Sequence, residues 1–153
     1  MSEIYHDASK PHERLMFNVA IFHFLVPAIL FATENLWLIF SLSLLGSLIM
    51  IGSIAYKAYN SQDQTALVEA HWKLAWKRSM YLLGAYLVTA VIFGIGSFLL
   101  MAQADESMRF IQRSVLGWFA LVPISLTLIA LIVLEGSALV QSRKGIMPSE
   151  MKL

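Results

Sequence analysis

The fold follows from residues 65–101, TALVEAHWKLAWKRSMYLLGAYLVTAVIFGIGSFLLM. The first half is amphipathic and carries Glu69 and Lys73, a spacing of four residues that pairs opposite charges on a helix. The second half is an apolar run long enough to cross a bilayer. Arg78 lies where the two halves join, among tryptophans and lysines of the kind that anchor a helix at the lipid headgroups. We therefore predict one long helix that begins in water and continues through a membrane.

The whole chain has the composition of a membrane protein. Of its 153 residues, 58% are hydrophobic and 14% are charged, whereas soluble domains have about 45–50% and about 25%. Four uncharged runs of roughly 20 residues or more divide the sequence, and a spanning helix needs about 20 apolar residues. We predict an all-α protein with a single domain, a four-helix transmembrane bundle whose third helix extends into the cytoplasm as an amphipathic segment. The predicted spans are about 14–33, 36–56, 78–103 and 113–140.

The distribution of basic residues predicts the orientation. Nine of the 11 lysines and arginines lie in the two tails, in the loop between the second and third spans, and at the start of the third helix. The positive-inside rule places such segments in the cytoplasm. We expect a multi-pass protein of the inner (plasma) membrane with cytoplasmic N- and C-termini. The expected partners are membrane lipids and other membrane subunits or further copies of the chain, and no nucleic acid, because topology already accounts for the basic residues.

Cysteine and histidine usage limits the metal chemistry. The chain has no cysteine, which excludes disulfides, thiolate metal sites and iron–sulfur clusters. His6 and His12 are six residues apart, with no carboxylate in obvious register. For residues 1–13 we therefore expect a solvated, partly disordered tail without a metal site.

Two ionisable residues fall inside the predicted spans. A charged side chain at the centre of a membrane helix costs about 2.5–3.5 kcal/mol, so Glu135 and His23 are candidates for a functional site. Glu135 lies eight residues before Arg143, and His23 lies nine residues after Arg14. At 1.5 Å per residue, both are about 12–14 Å from the same membrane surface. A contact between His23 and Glu135 is geometrically allowed, either as a structural hydrogen bond or as a site for a proton or a quinone.

Asn18 and Pro27 are the other unusual residues of the first span. Pro27 has no N–H for the carbonyl of His23, four residues earlier, which predicts a kink there. Asn18 and His23 differ by about 140° around the helix axis, so they cannot both face the same neighbour. Asn18 is either a further candidate for the ligand or proton site, or a residue that reaches the headgroups.

The start of the third helix carries a second candidate site, for docking of a lipid or a partner protein. Its residues are His71, Trp72, Lys73, Trp76, Lys77 and Arg78. The simplest interpretation is a membrane anchor, with His71 at the interface. A bis-histidine haem site would need His71 as the partner of His23, and the position of His71 before the span argues against haem.

These features favour a non-enzymatic function. The chain has almost no soluble domain to bind a substrate, and it offers many small residues suited to helix contacts. The preferred hypothesis is an accessory or assembly subunit of a larger membrane complex, or a small oligomeric membrane scaffold. The alternative is a quinone-binding or proton-coupled redox subunit that uses His23 and Glu135. A quinone is the cofactor class compatible with this alternative.

Overall fold

The computed structural model describes residues 2–60, 65–103 and 105–150. All regular structure in these ranges is helical. Four helical segments are long and apolar enough to cross a membrane. The predicted fold class, an all-α protein with four membrane-spanning helices, is therefore confirmed.

The first span is interrupted and the other three are continuous. In chain order the elements are α1 (Ser2–Ala20), a π-helical turn (Ile21–Leu25), α2 (Val26–Leu30), a 3-10 turn (Phe31–Thr33), α3 (Leu36–Tyr59), α4 (Ala66–Leu100), α5 (Glu106–Ser142) and a second 3-10 turn (Pro148–Glu150). The amphipathic and apolar halves of residues 65–101 form the single helix α4, as predicted.

The irregularity predicted at Pro27 takes the form of the π-helical turn directly before it. There the backbone N–H of Val26 donates to the carbonyl of Ile21, five residues earlier instead of four. A wider turn is one way for a helix to adjust its hydrogen bonding next to a residue that has no N–H.

A tight turn joins the first span to α3. Glu34 adopts a left-handed conformation with φ 55°, and the side chain of Asn35 caps α3 by accepting a hydrogen bond from the N–H of Leu38 at 3.0 Å. Away from this turn, where the first span packs against α3, the ring of Phe22 occupies the space where a side chain at Gly46 would lie. The glycine therefore permits close packing of the two helices.

The N-terminal tail predicted for residues 1–13 is wrong, because nearly all of this segment belongs to α1. Ala8, His12 and Leu15 follow one another at helical spacing and are fully buried. Pro11 lies inside the helix and is also buried. The segment is ordered because its buried face continues the face of the span itself.

The chain divides into two compact units. The first contains Met1–Ser79 and Leu131–Leu153, and the second contains Met80–Ala130. The first unit has a buried apolar cluster made of Ala8, Leu15, Ile54, Ala58, Val68, Trp72 and Ala75. All residues of the site described below belong to this first unit.

Candidate functional site

Four ionisable side chains from three helices meet inside the first unit. His12 comes from α1, His71 and Arg78 come from α4, and Glu135 comes from α5. Arg78 is 6% exposed and the other three are fully buried. Because His71 and Arg78 are two helical turns apart, they lie on one face of α4.

Glu135 is held at both carboxylate oxygens. Arg78 Nη1 donates to Oε1 at 3.0 Å and to the backbone carbonyl of Leu134 at 2.9 Å. Oε2 lies 2.7 Å from Nδ1 of His12. A buried carboxylate is tolerated only with such partners, since their attraction must offset its desolvation.

The hydrogen bonds continue from His12 to a second histidine. Nε2 of His12 lies 2.8 Å from Nδ1 of His71, and the two rings meet edge to face with centroids 5.0 Å apart. Nε2 of His71 donates to the backbone carbonyl of Ile146 at 3.1 Å. Glu135, His12 and His71 thus form a buried chain of three titratable groups, which we call the proton chain, with Arg78 at one end and a carbonyl at the other.

The turn after α5 positions this carbonyl. Gly145 has φ +73°, and its N–H donates to the carbonyl of Ser142 at 3.0 Å. The N–H of Ile146 donates to the carbonyl of Gln141 at 3.2 Å, which completes a Schellman helix end. A Cβ at position 145 would lie 2.6 Å from the ring of Tyr5. Both the backbone conformation and this neighbour therefore require glycine.

The number of hydrogens in the proton chain follows from its acceptors. A carbonyl only accepts, so Nε2 of His71 carries a hydrogen. Each of the two remaining contacts, His71 to His12 and His12 to Glu135, needs one hydrogen between its two atoms. That makes three hydrogens, whereas two neutral imidazoles and one carboxylate carry only two. The observed geometry therefore requires that the proton chain hold one proton more than two neutral imidazoles and a carboxylate. This proton makes either a neutral carboxyl at Glu135 or an imidazolium.

An apolar groove lies against Glu135. It has a volume of about 240 Å³, and six of its seven lining residues are apolar. They are Met16, Val19, Ala20 and Phe24 from the first span and Leu131 and Ile132 from α5, and the seventh is Glu135. Glu135 therefore belongs both to the proton chain and to the wall of an apolar groove.

A second ion pair lies outside the buried site. Arg143 Nη2 donates to Oε1 of Glu13 at 2.9 Å, and the hydroxyl of Ser9 donates to the same oxygen at 2.8 Å. The side chains of Arg143 and Glu13 are 58% and 36% exposed. Such an exposed pair contributes at most about 1 kcal/mol. It joins α1 to the end of α5 near the proton chain.

The His23 to Glu135 contact considered from the sequence is not formed. Nδ1 of His23 lies 3.4 Å from the carbonyl of Asn18, and Glu135 bonds to His12 and Arg78 instead. The estimate of depth left the rotation of each helix undetermined, and it treated His12 as part of a tail. Asn18 is fully buried and does not reach the headgroups. Its side-chain amide has no hydrogen-bond partner among the described residues.

The residues of the docking cluster predicted at the start of the third helix lie in two different environments. His71, Trp72 and Arg78 are buried, so the side chain of His71 is covered by the protein and is not exposed to headgroups. Lys73 pairs with Glu69 on the surface. Of the remaining members, Lys77 is exposed, and Trp76 packs its ring against that of Tyr59 with centroids 6.3 Å apart.

Sequence reasoning missed His12 and the inward role of Arg78. One signal for His12 was available, because Ala8, His12, Leu15 and Val19 keep helical spacing through Pro11. Arg78 gave no such signal, since a basic residue at the start of a span is the usual anchor. In the part of the chain that the structure describes, no group of three or more histidine, aspartate or glutamate side chains is arranged to hold a metal.

Comparison with known proteins identifies no relative. No protein-family model matches the chain, and neither the curated proteins nor the solved structures include a significant match. The geometry of the site is therefore the basis for inferring a function.

Proposed function

We propose that this chain is a proton-coupled membrane protein whose buried proton chain takes up and releases one proton. The observation that carries the proposal is the continuous series of contacts at 2.7, 2.8 and 3.1 Å from Glu135 through His12 and His71 to a backbone carbonyl. Histidine and carboxylate side chains exchange protons near neutral pH when their environment favours it. Ionisable groups inside a membrane protein are costly, and they commonly mark proton paths.

The two ends of the proton chain have different surroundings. Glu135 borders the apolar groove, whereas His71 bonds to Ile146, which is half-buried in the turn after α5. When Glu135 gives up its proton, the contact between Glu135 and His12 lacks a hydrogen. Tautomer exchange in both rings, in which the hydrogen on Nε2 of His12 and then that on Nε2 of His71 moves to Nδ1 of the same ring, transfers this deficit to Nε2 of His71. A proton from water at the Ile146 turn then restores the third hydrogen.

Arg78 determines which oxygen of Glu135 takes part in this exchange. Its bond to Oε1 leaves only Oε2 of Glu135 for His12. Its positive charge also compensates the carboxylate after the additional proton has left. Arginine suits this role because its guanidinium stays charged in proteins.

A quinone stays the predicted ligand class for the groove. Its apolar wall fits an isoprenoid tail, and Glu135 lies at its edge. The role of accessory or assembly subunit, or of an oligomeric scaffold, also stays a prediction. So do the inner-membrane location and the cytoplasmic termini. A proton-coupled subunit is compatible with each of them.

Nuclear magnetic resonance of histidine-labelled protein in bicelles tests the proton chain. Ring nitrogen shifts distinguish protonated from unprotonated positions in each histidine. We expect Nε2 of His71 to be protonated, and we expect His12 and His71 to change together in a single one-proton step. In Glu135→Gln the joint step should be lost, because the amide N–H can donate to Nδ1 of His12 and supplies the third hydrogen without an additional proton.

The matched control is Glu69→Gln, which removes a half-buried carboxylate on the same helix as His71. This variant should keep the joint step. Independent titration of the two rings in the wild-type protein, or an unchanged joint step in Glu135→Gln, would contradict the proposal.

A further inference from the structure

We propose that a second cavity in the first unit binds the phosphate of an anionic phospholipid. The cavity has a volume of about 320 Å³ and lies between α1, α3 and α4. Lys10, Arg14 and Lys57 supply its basic groups. It is distinct from the proton chain, and none of the four side chains of that site lines it.

Two of the basic groups have no acidic partner in the part of the chain that the structure describes. The guanidinium carbon of Arg14 lies 5.8 Å from the centre of the Trp72 ring, and the ammonium of Lys57 lies 5.9 Å from it. Among the described residues, neither forms an ion pair with a carboxylate. Two like charges at one indole ring repel each other, whereas each is attracted to the ring itself. An anion bound between them would remove this repulsion.

The acids near the cavity are already occupied. Glu13 lines the cavity but accepts from Arg143 and Ser9. Lys10 pairs with Asp7, although its own side chain remains 54% exposed. The cavity therefore keeps an excess of positive charge.

The apolar part of the cavity is arranged as a lipid requires. Phe17 follows Arg14 by three residues on α1, and Met50 precedes Lys57 by seven residues on α3. On both helices the apolar residue therefore lies deeper in the apolar part of the span than the basic residue does. A phosphate at the basic end would place an acyl chain along Phe17, which is 61% exposed. A free phosphate ion would use only the basic end, so the shape favours a phospholipid.

The test uses the full chain in maltoside micelles. Phosphatidylglycerol and phosphatidylcholine are added separately, bound lipid is counted by native mass spectrometry, and the thermal midpoint is recorded. We expect phosphatidylglycerol to bind and to raise the midpoint more than phosphatidylcholine does. Each basic residue near a membrane surface strengthens binding to anionic lipid about fivefold. Arg14→Gln/Lys57→Gln should therefore weaken phosphatidylglycerol binding about 25-fold.

A matched double variant separates this cavity from general surface charge. Arg113→Gln/Lys144→Gln removes two exposed basic residues that belong neither to the cavity nor to the predicted docking cluster, and it should weaken phosphatidylglycerol binding much less. Equal losses in the two double variants would overturn the proposal. If Arg14→Gln/Lys57→Gln does not fold, Lys57→Gln alone should show a loss of about fivefold.

Two further probes identify the ligand. Inorganic phosphate should stabilise the protein less than phosphatidylglycerol, and Phe17→Ser should weaken lipid binding without changing the response to inorganic phosphate. Equal protection by inorganic phosphate would indicate a free-anion site and would overturn the lipid assignment. Preferential binding of an acidic peptide over phosphatidylglycerol would also overturn the lipid assignment.

Discussion

The two compact units hold their helices together by different physics. The first unit buries a carboxylate, a guanidinium and two imidazoles in one hydrogen-bonded cluster. In the second unit, Met80–Ala130, no ion pair forms among the described residues. There the hydroxyl of Thr89 donates to the carbonyl of Ala120 at 2.7 Å, and Gly96 receives the side chain of Leu116. The first unit therefore depends on charge and hydrogen bonding, and the second depends mainly on shape.

The largest effect should come from removing one partner of the buried ion pair. Arg78→Met leaves the carboxylate of Glu135 buried without its cation, and breaking such a pair costs about 3–5 kcal/mol. Arg78→Met/Glu135→Leu should recover much of this loss, because no unpaired charge remains. The measurement is reversible unfolding in mixed micelles. Equal destabilisation in the single and double variants would show that the first unit does not depend on charge pairing.

An intermediate effect should come from filling space in the second unit. A Cβ added at Gly96 would lie 2.4 Å from Leu116, whereas nothing lies within 4 Å of a Cβ added at Gly94. Overpacking of this kind costs about 1–3 kcal/mol, so Gly96→Ala should lower the free energy of unfolding. Gly94→Ala on the same helix is the control, and it should gain up to about 1 kcal/mol from helix propensity. Identical behaviour of the two variants would argue against packing by shape.

The smallest effect should come from the hydrogen bond in the second unit. Thr89→Val keeps the side-chain shape and removes the hydroxyl that bonds to Ala120. Hydrogen bonds between membrane helices contribute about 0.6 kcal/mol on average, so the same unfolding measurement should show a loss of that size. A loss as large as that of Arg78→Met would mean that polar contacts dominate both units.

The same contrast explains what the sequence could predict. The number and approximate limits of the four spans follow from the lengths of the uncharged runs, which are local properties. The contacts of Glu135 are not local, because they depend on how α1, α4 and α5 are rotated about their axes. The depth estimate placed Glu135 and His23 at one level but could not determine which residue each faced.

Two residues show why the site itself was missed. His12 follows a proline in a polar segment, and such a composition usually indicates a tail. Only its burial against Glu135 and His71 gives the segment a reason to be helical. Arg78 has the sequence signature of an anchor, and its inward orientation follows from the position of Glu135. In both cases a long-range partner determines the local structure.

Because His12 lies ahead of the first apolar run, a shortened product can lose this histidine and still keep the run. Met16 lies four residues after His12, so a shorter product translated from an internal start at Met16 would keep the apolar segments of all four spans. That product would lack His12 and the bond that joins Glu135 to His71. The two products would have the same apolar spans, so neither hydropathy nor a membrane-insertion assay would distinguish them. Only the longer product would contain the proton chain.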